Sequence, residues 1–283
     1  MPELPEVHTI TTDLNLSTKD YKIQGVTISK GYIALPNNDA FTKLTLNQKI
    51  IGAERIAKNI LIKLGSGNYI LIHLAMTGRV LLRKSGFAED GRTKVKFLIQ
   101  KGSDKKELRF TDTRMFGKIL VTNAEGISKL KLKYGPEPLD PKLAPEKFLE
   151  IIKSKKTNIK NVLLDQTLVS GLGNIYATDA LFLAGIAPTT NTANITLGKA
   201  KKLLETAKLV LSEGIKNRGS TLPDKSYVDI FGREGKQQEH FKIYMKDNCP
   251  KCKSKVLFMK LNGRGTYYCE VCQPLDGQTS LFK

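Results

Sequence analysis

The sequence predicts a multidomain α+β protein: an N-terminal β-sandwich or barrel-like domain with one N-terminal helix, then a helical domain and a small C-terminal β-hairpin unit. Three observations lead to this prediction. Short β-rich runs recur between residues 50 and 122, three prolines interrupt the pattern at 135–141, and all four cysteines lie within 249–272. Recurring short strands are typical of sandwiches and barrels, and closely spaced prolines end both helices and central strands.

The first predicted element is an amphipathic helix, because Leu4, Val7, Ile10 and Leu14 recur at helical spacing. Seven β-rich runs follow, separated by turn signals such as the Gly-Ser-Gly of 65–67. These runs are Ile50–Ile56, Ile60–Leu64, Tyr69–Leu74, Arg79–Leu82, Val95–Ile99, Glu107–Thr111 and Lys118–Thr122. Their spacing predicts the β-rich domain.

The proline-rich segment that starts at Gly135 predicts a domain boundary, with a β-rich domain over 1–134 and a linker over 135–144. Beyond it the pattern is helical, in the runs Phe148–Ser154, Val162–Asp165, Ile175–Ala184 and Leu197–Lys216. We expect the helical domain to cover 145–240 and to include a long loop at 218–235, since loops of that length are often functional. A cysteine-bearing domain is expected over 241–283.

The charge balance indicates a polyanionic partner. Lys and Arg number 46 against 27 Asp and Glu, a formal net charge of +19, and cations that contact phosphates gain free energy by releasing counterions. Charge alone does not distinguish DNA from RNA, or either from a charge that serves solubility. No apolar run reaches the roughly 18 residues of a membrane span, and the start MPELPEVHTI lacks the apolar stretch of a secretory signal. We therefore expect a cytoplasmic protein.

The cysteines form two C-x-x-C pairs, Cys249/Cys252 and Cys269/Cys272, separated by 16 residues. This spacing is typical of four-cysteine zinc sites. A redox dithiol does not need two pairs, and iron–sulfur clusters usually have other spacings, so a structural zinc is favoured. Asn262-Gly263 predicts a hairpin turn between the pairs, followed by Arg264, which can approach a nucleic-acid backbone. The alternative is a basic zinc ribbon that only closes a domain.

Several segments resemble the formamidopyrimidine-DNA glycosylase family, in the same order along the chain. They are Met1–Val7, Arg55–Lys58, His73–Arg79, Asp112–Gly117, Gly135–Leu139, Leu164–Tyr176 and Gly263–Gln273. Together they extend from residue 2 to residue 273 and are very specific, although each alone would be a weak signal. The resemblance implies a bifunctional DNA glycosylase and abasic-site (AP) lyase of base excision repair that excises oxidised purines, with a helix–two-turn–helix in its helical domain.

The resemblance implies that Pro2 is the nucleophile once Met1 is removed. A free α-amine has a pKa of about 7.7–8.0, far below that of lysine, and amines of this kind form Schiff bases with carbonyl-like carbons. By the same resemblance Glu3 protonates the deoxyribose, Lys58 assists the β-elimination and Arg264 assists the δ-elimination. The zinc would be structural, and no catalytic metal or organic cofactor is expected. Without the family, Pro2 and Glu3 would indicate only an ordinary helix start.

The resemblance also implies binding of damaged double-stranded DNA by a monomer. A base inside a duplex must be flipped out before it can react, and Met76, Arg114 and Phe116, which we name the wedge cluster, are expected to fill the gap. Core packing of the Met and Phe, and a surface ion pair of the Arg, are the alternatives. Further positions that resemble DNA contacts are Lys94, Lys155, Lys160 and Asn174, and the candidates in the loop over the flipped base are Thr221 and Tyr227.

Four positions depart from the family pattern, namely His8, Ala75, Lys94 and Met115. They leave the reaction in place and bear on the lesion preference. The sister endonuclease VIII branch, which prefers oxidised pyrimidines, normally starts Pro-Glu-Gly-Pro, so Leu4 favours the purine branch.

Two rival functions remain at this point. A catalytically inactive DNA-binding protein with a zinc ribbon fits the composition and cysteines equally well, but it would not need Pro2, Glu3 and Lys58 together. An RNA-binding protein is disfavoured by the wedge cluster, because RNA readers usually display stacking aromatics on a sheet.

Overall fold

The computed structural model describes residues 1–89 and 91–275, which divide into two compact units. Unit 1 comprises Met1–Leu132 and Asn217–Gln238, and unit 2 comprises Lys133–Lys216 and the described residues from Glu239 onward. The end of the predicted cysteine-bearing domain, 276–283, lies outside the described residues. The predicted loop at 218–235 differs from expectation, since it belongs to unit 1 and not to the helical domain.

Unit 1 opens with helix α1, Leu4–Thr18. The helix forms as predicted, because its apolar residues Leu4, Val7, Ile10 and Leu14 share one face, and each is at most 1% exposed. Glu3 is the N-cap residue, and its amide donates to the Glu6 carboxylate at 2.8 Å, which satisfies one of the amides that a helix start leaves unpaired.

Two antiparallel four-stranded sheets form the rest of unit 1, in the orders β1-β6-β7-β5 and β2-β3-β4-β8. The strands are β1 Lys22–Ile28, β2 Ile50–Ile56, β3 Asn59–Leu64, β4 Tyr69–His73, β5 Gly78–Lys84, β6 Thr93–Lys101, β7 Asp104–Asp112 and β8 Lys118–Thr122. Side chains from both sheets, such as Ile62, Ile72, Phe97 and Phe110, enter one apolar core with α1. The predicted β-sandwich is confirmed.

Three elements of unit 1 were not predicted: strand β1 and the helices α2, Asn38–Thr45, and α3, Ala124–Lys131. Strand β1 has a weak pattern because a bulge at Gln24, between Ile23 and Gly25, shifts its register against β6. The two helices span only eight residues each, and an asparagine cap begins each one: Asn37 accepts from the Ala40 amide and Asn123 from the Gly126 amide.

Unit 2 contains four helices and a hairpin: α4 Pro145–Lys153, α5 Ile159–Leu164, α6 Asn174–Ala184, α7 Leu197–Lys216, β9 Leu257–Leu261 and β10 Arg264–Tyr268. Short 3-10 turns lie at Thr192–Asn194, within unit 2, and at Gln237–His240, where the chain passes from unit 1 to unit 2. The hairpin turns at Asn262 (φ 46°) and Gly263 (φ 75°), the pair of positive φ angles that the Asn-Gly signal predicts. Residues 135–144, the expected linker, belong to unit 2. At their start, the Ser170 hydroxyl donates a hydrogen bond to the Gly135 carbonyl at 2.7 Å.

Among the described residues, no helix is both long enough and apolar enough to cross a membrane.

Candidate functional site

The start of α1 buries both residues of the expected catalytic pair. Pro2 is buried, and Glu3 is only 2% exposed. Glu6 is also 2% exposed, and its Oε2 accepts a hydrogen bond from the Glu3 amide. Its Oε1 accepts two further hydrogen bonds, from the Ser220 amide at 2.7 Å and from the Ser220 hydroxyl at 3.1 Å. The site therefore offers a carboxyl group shielded from water, next to a residue whose nitrogen becomes an amine if Met1 is removed.

Lys58 lies in the turn between β2 and β3 and is 6% exposed. The turn is braced from both sides, since Arg55 donates to the Ala57 carbonyl at 2.7 Å and the Asn59 side chain to the Ile56 carbonyl at 3.1 Å. Ala57 adopts the left-handed conformation, with φ 49°. The braced backbone thus fixes the direction of the Lys58 side chain, and most of the surface of Lys58 is covered.

His73 connects the Lys58 turn with the loop that precedes β8. It pairs in register with Asn59 on one side and Lys118 on the other, and its Nδ1 lies 3.1 Å from Asn59 Oδ1. Burial, and then the positive charges of Lys58 and Lys118, lowers the pKa of His73 below its ordinary value. A neutral imidazole leaves Lys58 and Lys118 as the positive charges next to His73 at this end of the sheet.

The members of the wedge cluster lie in two loops, and the structure brings their side chains together. The Arg114 guanidinium lies 4.7 Å above the Phe116 ring, and its Nη1 lies 3.5 Å from the Met76 sulfur. Met76 is 44% and Phe116 55% exposed. Apolar side chains this exposed do not serve the core, which argues against the alternative of core packing.

Asp112 holds the two loops of the wedge cluster in position, a role that was not predicted from the sequence. Its buried carboxylate accepts hydrogen bonds from the Thr77 hydroxyl at 2.5 Å, the Arg114 amide at 3.2 Å and the Gly117 amide at 2.7 Å. Gly117 has to be glycine, because a Cβ there would lie 2.9 Å from Asp112 Oδ2. The only available signal was the position of Asp112 at the head of a motif.

Lys94 lies at the same end of the sandwich as Asp112. It is the extra residue of a bulge in β6, where the register shifts between Thr93 and Val95, and the Asp112 amide donates to the nearby Arg92 carbonyl at 3.1 Å. A bulge re-aims a side chain, and Lys94 is half-buried. Thus Lys94, Lys58 and the wedge cluster all lie in unit 1.

Thr221 and Tyr227 are buried within the loop of unit 1, at 6% and 3% exposure. The Thr221 hydroxyl donates to the Tyr227 carbonyl at 3.0 Å and accepts the Gly235 amide at 2.9 Å, while the Tyr227 hydroxyl donates to the Arg218 carbonyl at 2.8 Å. Burial raises the pKa of Tyr227 well above its ordinary value. These contacts give both residues a role in the loop's own structure.

Arg218 anchors that loop to α1, a role the sequence did not predict. Its Nη2 lies 2.5 Å from Asp13 and 2.8 Å from Asp229, both of which are nearly covered. Further along, the Leu82 amide of β5 donates to the Ile230 carbonyl at 2.7 Å. The segment Asn217–Gln238 is therefore attached to both a helix and a strand of unit 1.

In unit 2, Asn174 and Lys160 both bind the hairpin strand β10. Asn174 begins α6 after the N-cap Gly173, and its Nδ2 donates to the Gly265 carbonyl at 2.9 Å. The Lys160 ammonium donates to the Thr266 hydroxyl at 2.7 Å, and Lys160 is only 1% exposed. The structure therefore differs from the expectation at Lys160, because its side chain is covered and oriented toward the hairpin.

Arg264 and Lys155, unlike Lys160, are exposed to solvent. Arg264 is exposed at the start of β10, directly after the turn. The Lys155 ammonium is bound by Asp165 at 2.7 Å, yet its side chain remains 56% exposed. That ion pair, with Thr167, lowers the pKa of Asp165. Arg264 and Lys155 line a common concavity of about 390 Å³.

The four cysteines converge on one point, as predicted. Their sulfur atoms all lie within 4.8 Å of one another, with Cys249 to Cys272 at 3.7 Å and Cys252 to Cys269 at 3.5 Å. A tetrahedral zinc with Zn–S bonds of about 2.3 Å would place its sulfurs about 3.8 Å apart, whereas a disulfide needs about 2.05 Å. The four sulfur atoms are thus positioned to bind one metal ion.

Two domain models of one family match the chain. They are described as the formamidopyrimidine-DNA glycosylase N-terminal domain, at residues 1–119, and the formamidopyrimidine-DNA glycosylase H2TH domain, at residues 134–226. The formamidopyrimidine-DNA glycosylase of Chloroflexus aurantiacus is 35% identical over 276 residues, which cover 96% of this chain and 98% of that protein. That of Moorella thermoacetica is 38% identical over 257 residues, covering 89% and 92%.

Solved structures of Lactococcus lactis Fpg have the same fold. One, a complex with DNA that contains an abasic site, matches with a TM-score of 0.89 and 29% identity over 96% of this chain and all of that chain. Another, with DNA that contains Fapy-dG, matches with a TM-score of 0.87 and the same identity and coverage. These similarities confirm the predicted resemblance and fold class, and the chain therefore belongs to the formamidopyrimidine-DNA glycosylase family of base-excision-repair enzymes.

Proposed function

We propose that this glycosylase is bifunctional: it excises 8-oxoguanine and formamidopyrimidines from damaged double-stranded DNA and then cleaves the strand as a lyase. The observation that carries the proposal is the start of α1, where Pro2 and Glu3 are buried in the same unit as Lys58 and the wedge cluster. Excision through a Schiff base requires an amine, a proton donor and a site that limits water. The abasic and Fapy-dG DNA held by the solved relatives supports this substrate class.

In the proposed reaction, the Pro2 amine attacks C1′ of the damaged nucleotide after Met1 has been removed. The bond from C1′ to the base breaks, its electrons leave with the base, and Glu3 protonates the ring oxygen as the sugar opens to an iminium ion. Loss of a C2′ proton expels the 3′ phosphate, and a second elimination expels the 5′ phosphate. Lys58 assists the first elimination and Arg264 the second, and hydrolysis of the iminium releases the sugar and leaves a one-nucleotide gap.

We propose that the wedge cluster replaces the flipped base within the duplex. Met76 and Phe116 can insert between stacked bases, and Arg114 can donate to the edge of the orphaned partner base. Lys94 and Lys155 would contact phosphates. Thr221 and Tyr227 would shape the loop over the flipped base from within.

The four cysteines would hold one Zn²⁺ with a structural role. Thiolate sulfurs are preferred zinc ligands, and a set of four closes the coordination sphere. Such a centre would make the hairpin rigid, so that Lys160 and Asn174 can hold β10 while Arg264 projects from it. We propose that the enzyme acts as a monomer on DNA in the cytoplasm.

Borohydride trapping tests the proposal. The protein is incubated with a duplex that carries one 8-oxoguanine opposite cytosine and is then reduced, which converts an iminium into a stable covalent link. We expect a protein–DNA band from protein whose mass shows that Met1 is absent. One serine inserted ahead of Pro2 should abolish the band, whereas the same serine added after Lys283 should not.

Each other outcome has a defined meaning. No band with 8-oxoguanine, ring-opened guanine, oxidised-pyrimidine or abasic duplexes would leave a DNA-binding protein without lyase chemistry. A band with oxidised pyrimidines and none with oxidised purines would assign the chain to the endonuclease VIII branch of substrates.

A further inference from the structure

A concave groove of about 420 Å³ lies on unit 1, away from the residues assigned to the reaction. The last turn of α1, the end of β5 and Phe231 of the Asn217–Gln238 segment contribute to it. Strand β5 runs from Gly78, next to the loop of Met76, to Lys84 at the groove. Leu82 is the first residue of β5 that lines the groove, and it lies about 13 Å from Gly78 along the strand.

Basic side chains dominate this groove. Of the described residues that line it, none is acidic and five are basic: Lys19, Arg83, Lys84, Lys101 and Lys106. Two carboxylates stand beside it, with Asp20 at 3.6 Å from the Lys101 ammonium and Asp104 at 3.0 Å from that of Lys106. The described residues that line the groove thus carry only basic charges, so the groove itself is positively charged.

Apolar surface lies between these cations. Leu16 is 77% and Phe231 39% exposed, whereas the core face of α1 is covered. The Lys106 ammonium lies 4.7 Å above the ring of Tyr21, which lines the groove as well. Exposed apolar side chains enclosed by polar or charged neighbours are typical of protein-binding surfaces.

We infer that this groove binds an acidic protein segment that carries at least one aromatic or aliphatic side chain. The acidic groups would pair with Lys19 and Lys84, and the apolar side chain would cover Leu16 and Phe231. Complementary charge orients the two partners and raises the rate at which they associate, and the apolar centre contributes most of the affinity. A nucleic acid fits less well, because single strands stack on aromatic faces and the most exposed apolar residue of the groove is a leucine.

A peptide-binding measurement on the full chain tests this inference. The probe is a fluorescein-labelled ten-residue peptide of nine aspartates and one central phenylalanine, followed by fluorescence anisotropy. We expect saturable binding that weakens at least about fivefold, or roughly 1 kcal/mol, in Lys84→Glu and in Leu16→Ser. Replacing the phenylalanine of the probe by serine should weaken binding by a similar factor.

Matched controls repeat both substitutions on exposed residues outside the groove, as Lys43→Glu and Leu132→Ser, which should leave the affinity unchanged. Any of three results would overturn the inference. The first is the absence of saturable binding below about 1 mM probe. The second is an equal loss of affinity in the control variants. The third is that a ten-nucleotide thymidine strand binds more tightly than the peptide and that the same two groove variants weaken its binding. No lesion DNA is present, so these results are independent of the trapping experiment.

Discussion

Glu6 accepts a hydrogen bond from the backbone amide of Ser220 at 2.7 Å, across 214 positions of sequence. Its other carboxylate oxygen accepts the amide of Glu3 at 2.8 Å. One buried carboxylate therefore positions both the start of α1 and the segment that carries the expected lesion loop. The close fit extends to Gly219, where a Cβ would lie 2.8 Å from the Glu6 side chain.

Glu6→Gln should destabilise unit 1 and slow base excision. A glutamine amide has one accepting oxygen, so one of the three donors at Glu6 loses its acceptor, at a cost of about 1–3 kcal/mol in unfolding free energy. Chemical denaturation measures the stability and single-turnover excision the activity. Glu54→Gln, the same change at an exposed position of β2, is the control. Equal stability of the two variants would contradict the role of Glu6.

Asp112→Asn should impair excision from duplex DNA and spare the chemistry of Pro2. The asparagine amide would face the Gly117 amide or the Thr77 hydroxyl as a second donor, so the loops of the wedge cluster would shift. We expect single-turnover excision to fall by at least about tenfold, equivalent to roughly 1.4 kcal/mol. Trapping on a single-stranded abasic oligonucleotide should persist, since it needs no base flipping. Loss of both activities would show instead that Asp112 acts on the reaction itself, and exposed Asp39→Asn serves as the control.

Lys160→Met and Lys155→Ala should affect DNA binding differently. Each phosphate contact contributes close to one unit to the slope of log affinity against log salt. Lys155 is exposed, so its loss should lower that slope by about one unit. Lys160 is covered and bound to Thr266, so its loss should weaken binding through the hairpin while the slope stays unchanged. A lowered slope in Lys160→Met would show that Lys160 does contact phosphate.

His73 should titrate below pH 6.5, because burial and the charges of Lys58 and Lys118 lower its pKa. In the unfolded chain, His73 binds a proton below about pH 6.5. In the folded chain, His73 binds this proton only at a lower pH. The unfolding free energy should therefore fall as the pH decreases from 6.5 toward the folded pKa.

Proton NMR can follow this titration directly, since the chain has 3 histidines. His73→Gln should remove the corresponding part of the stability slope, and His240→Gln, at an exposed position, should not. A His73 resonance that titrates at or above pH 6.5 would refute the prediction.

Removal of the metal should unfold the hairpin region of unit 2 and leave unit 1 folded. Elemental analysis of purified protein should give one zinc per chain, and Cys269→Ser, at a buried ligand position, should lower this content. Chelation should weaken DNA binding, since Arg264 loses its rigid support. Ser280→Ala is a control outside the four ligands. Iron in place of zinc, or no metal, would contradict the proposed centre.

Local patterns were enough to predict seven of the eight described strands of the sandwich, helix α1 and the convergence of the four cysteines. Periodic apolar residues such as Leu4 and Ile10 define a helix face wherever the helix lies, and the Asn262-Gly263 turn and C-x-x-C spacings depend only on neighbouring residues. Strand β1 and helices α2 and α3 were missed because the prediction relied on periodic apolar residues, and short or bulged elements show little periodicity.

The sequence by itself determined the chemistry available to this protein: a proline next to a carboxyl at Pro2 and Glu3, four thiols at metal-binding spacing, and an excess of cations. Only the tertiary structure decided how these groups are held. The contacts of Glu6 with Ser220, of Asp112 with Thr77 and of Lys160 with Thr266 join residues far apart in sequence. Their hydrogen bonds form only after the chain has folded, because burial creates the need to satisfy each polar group.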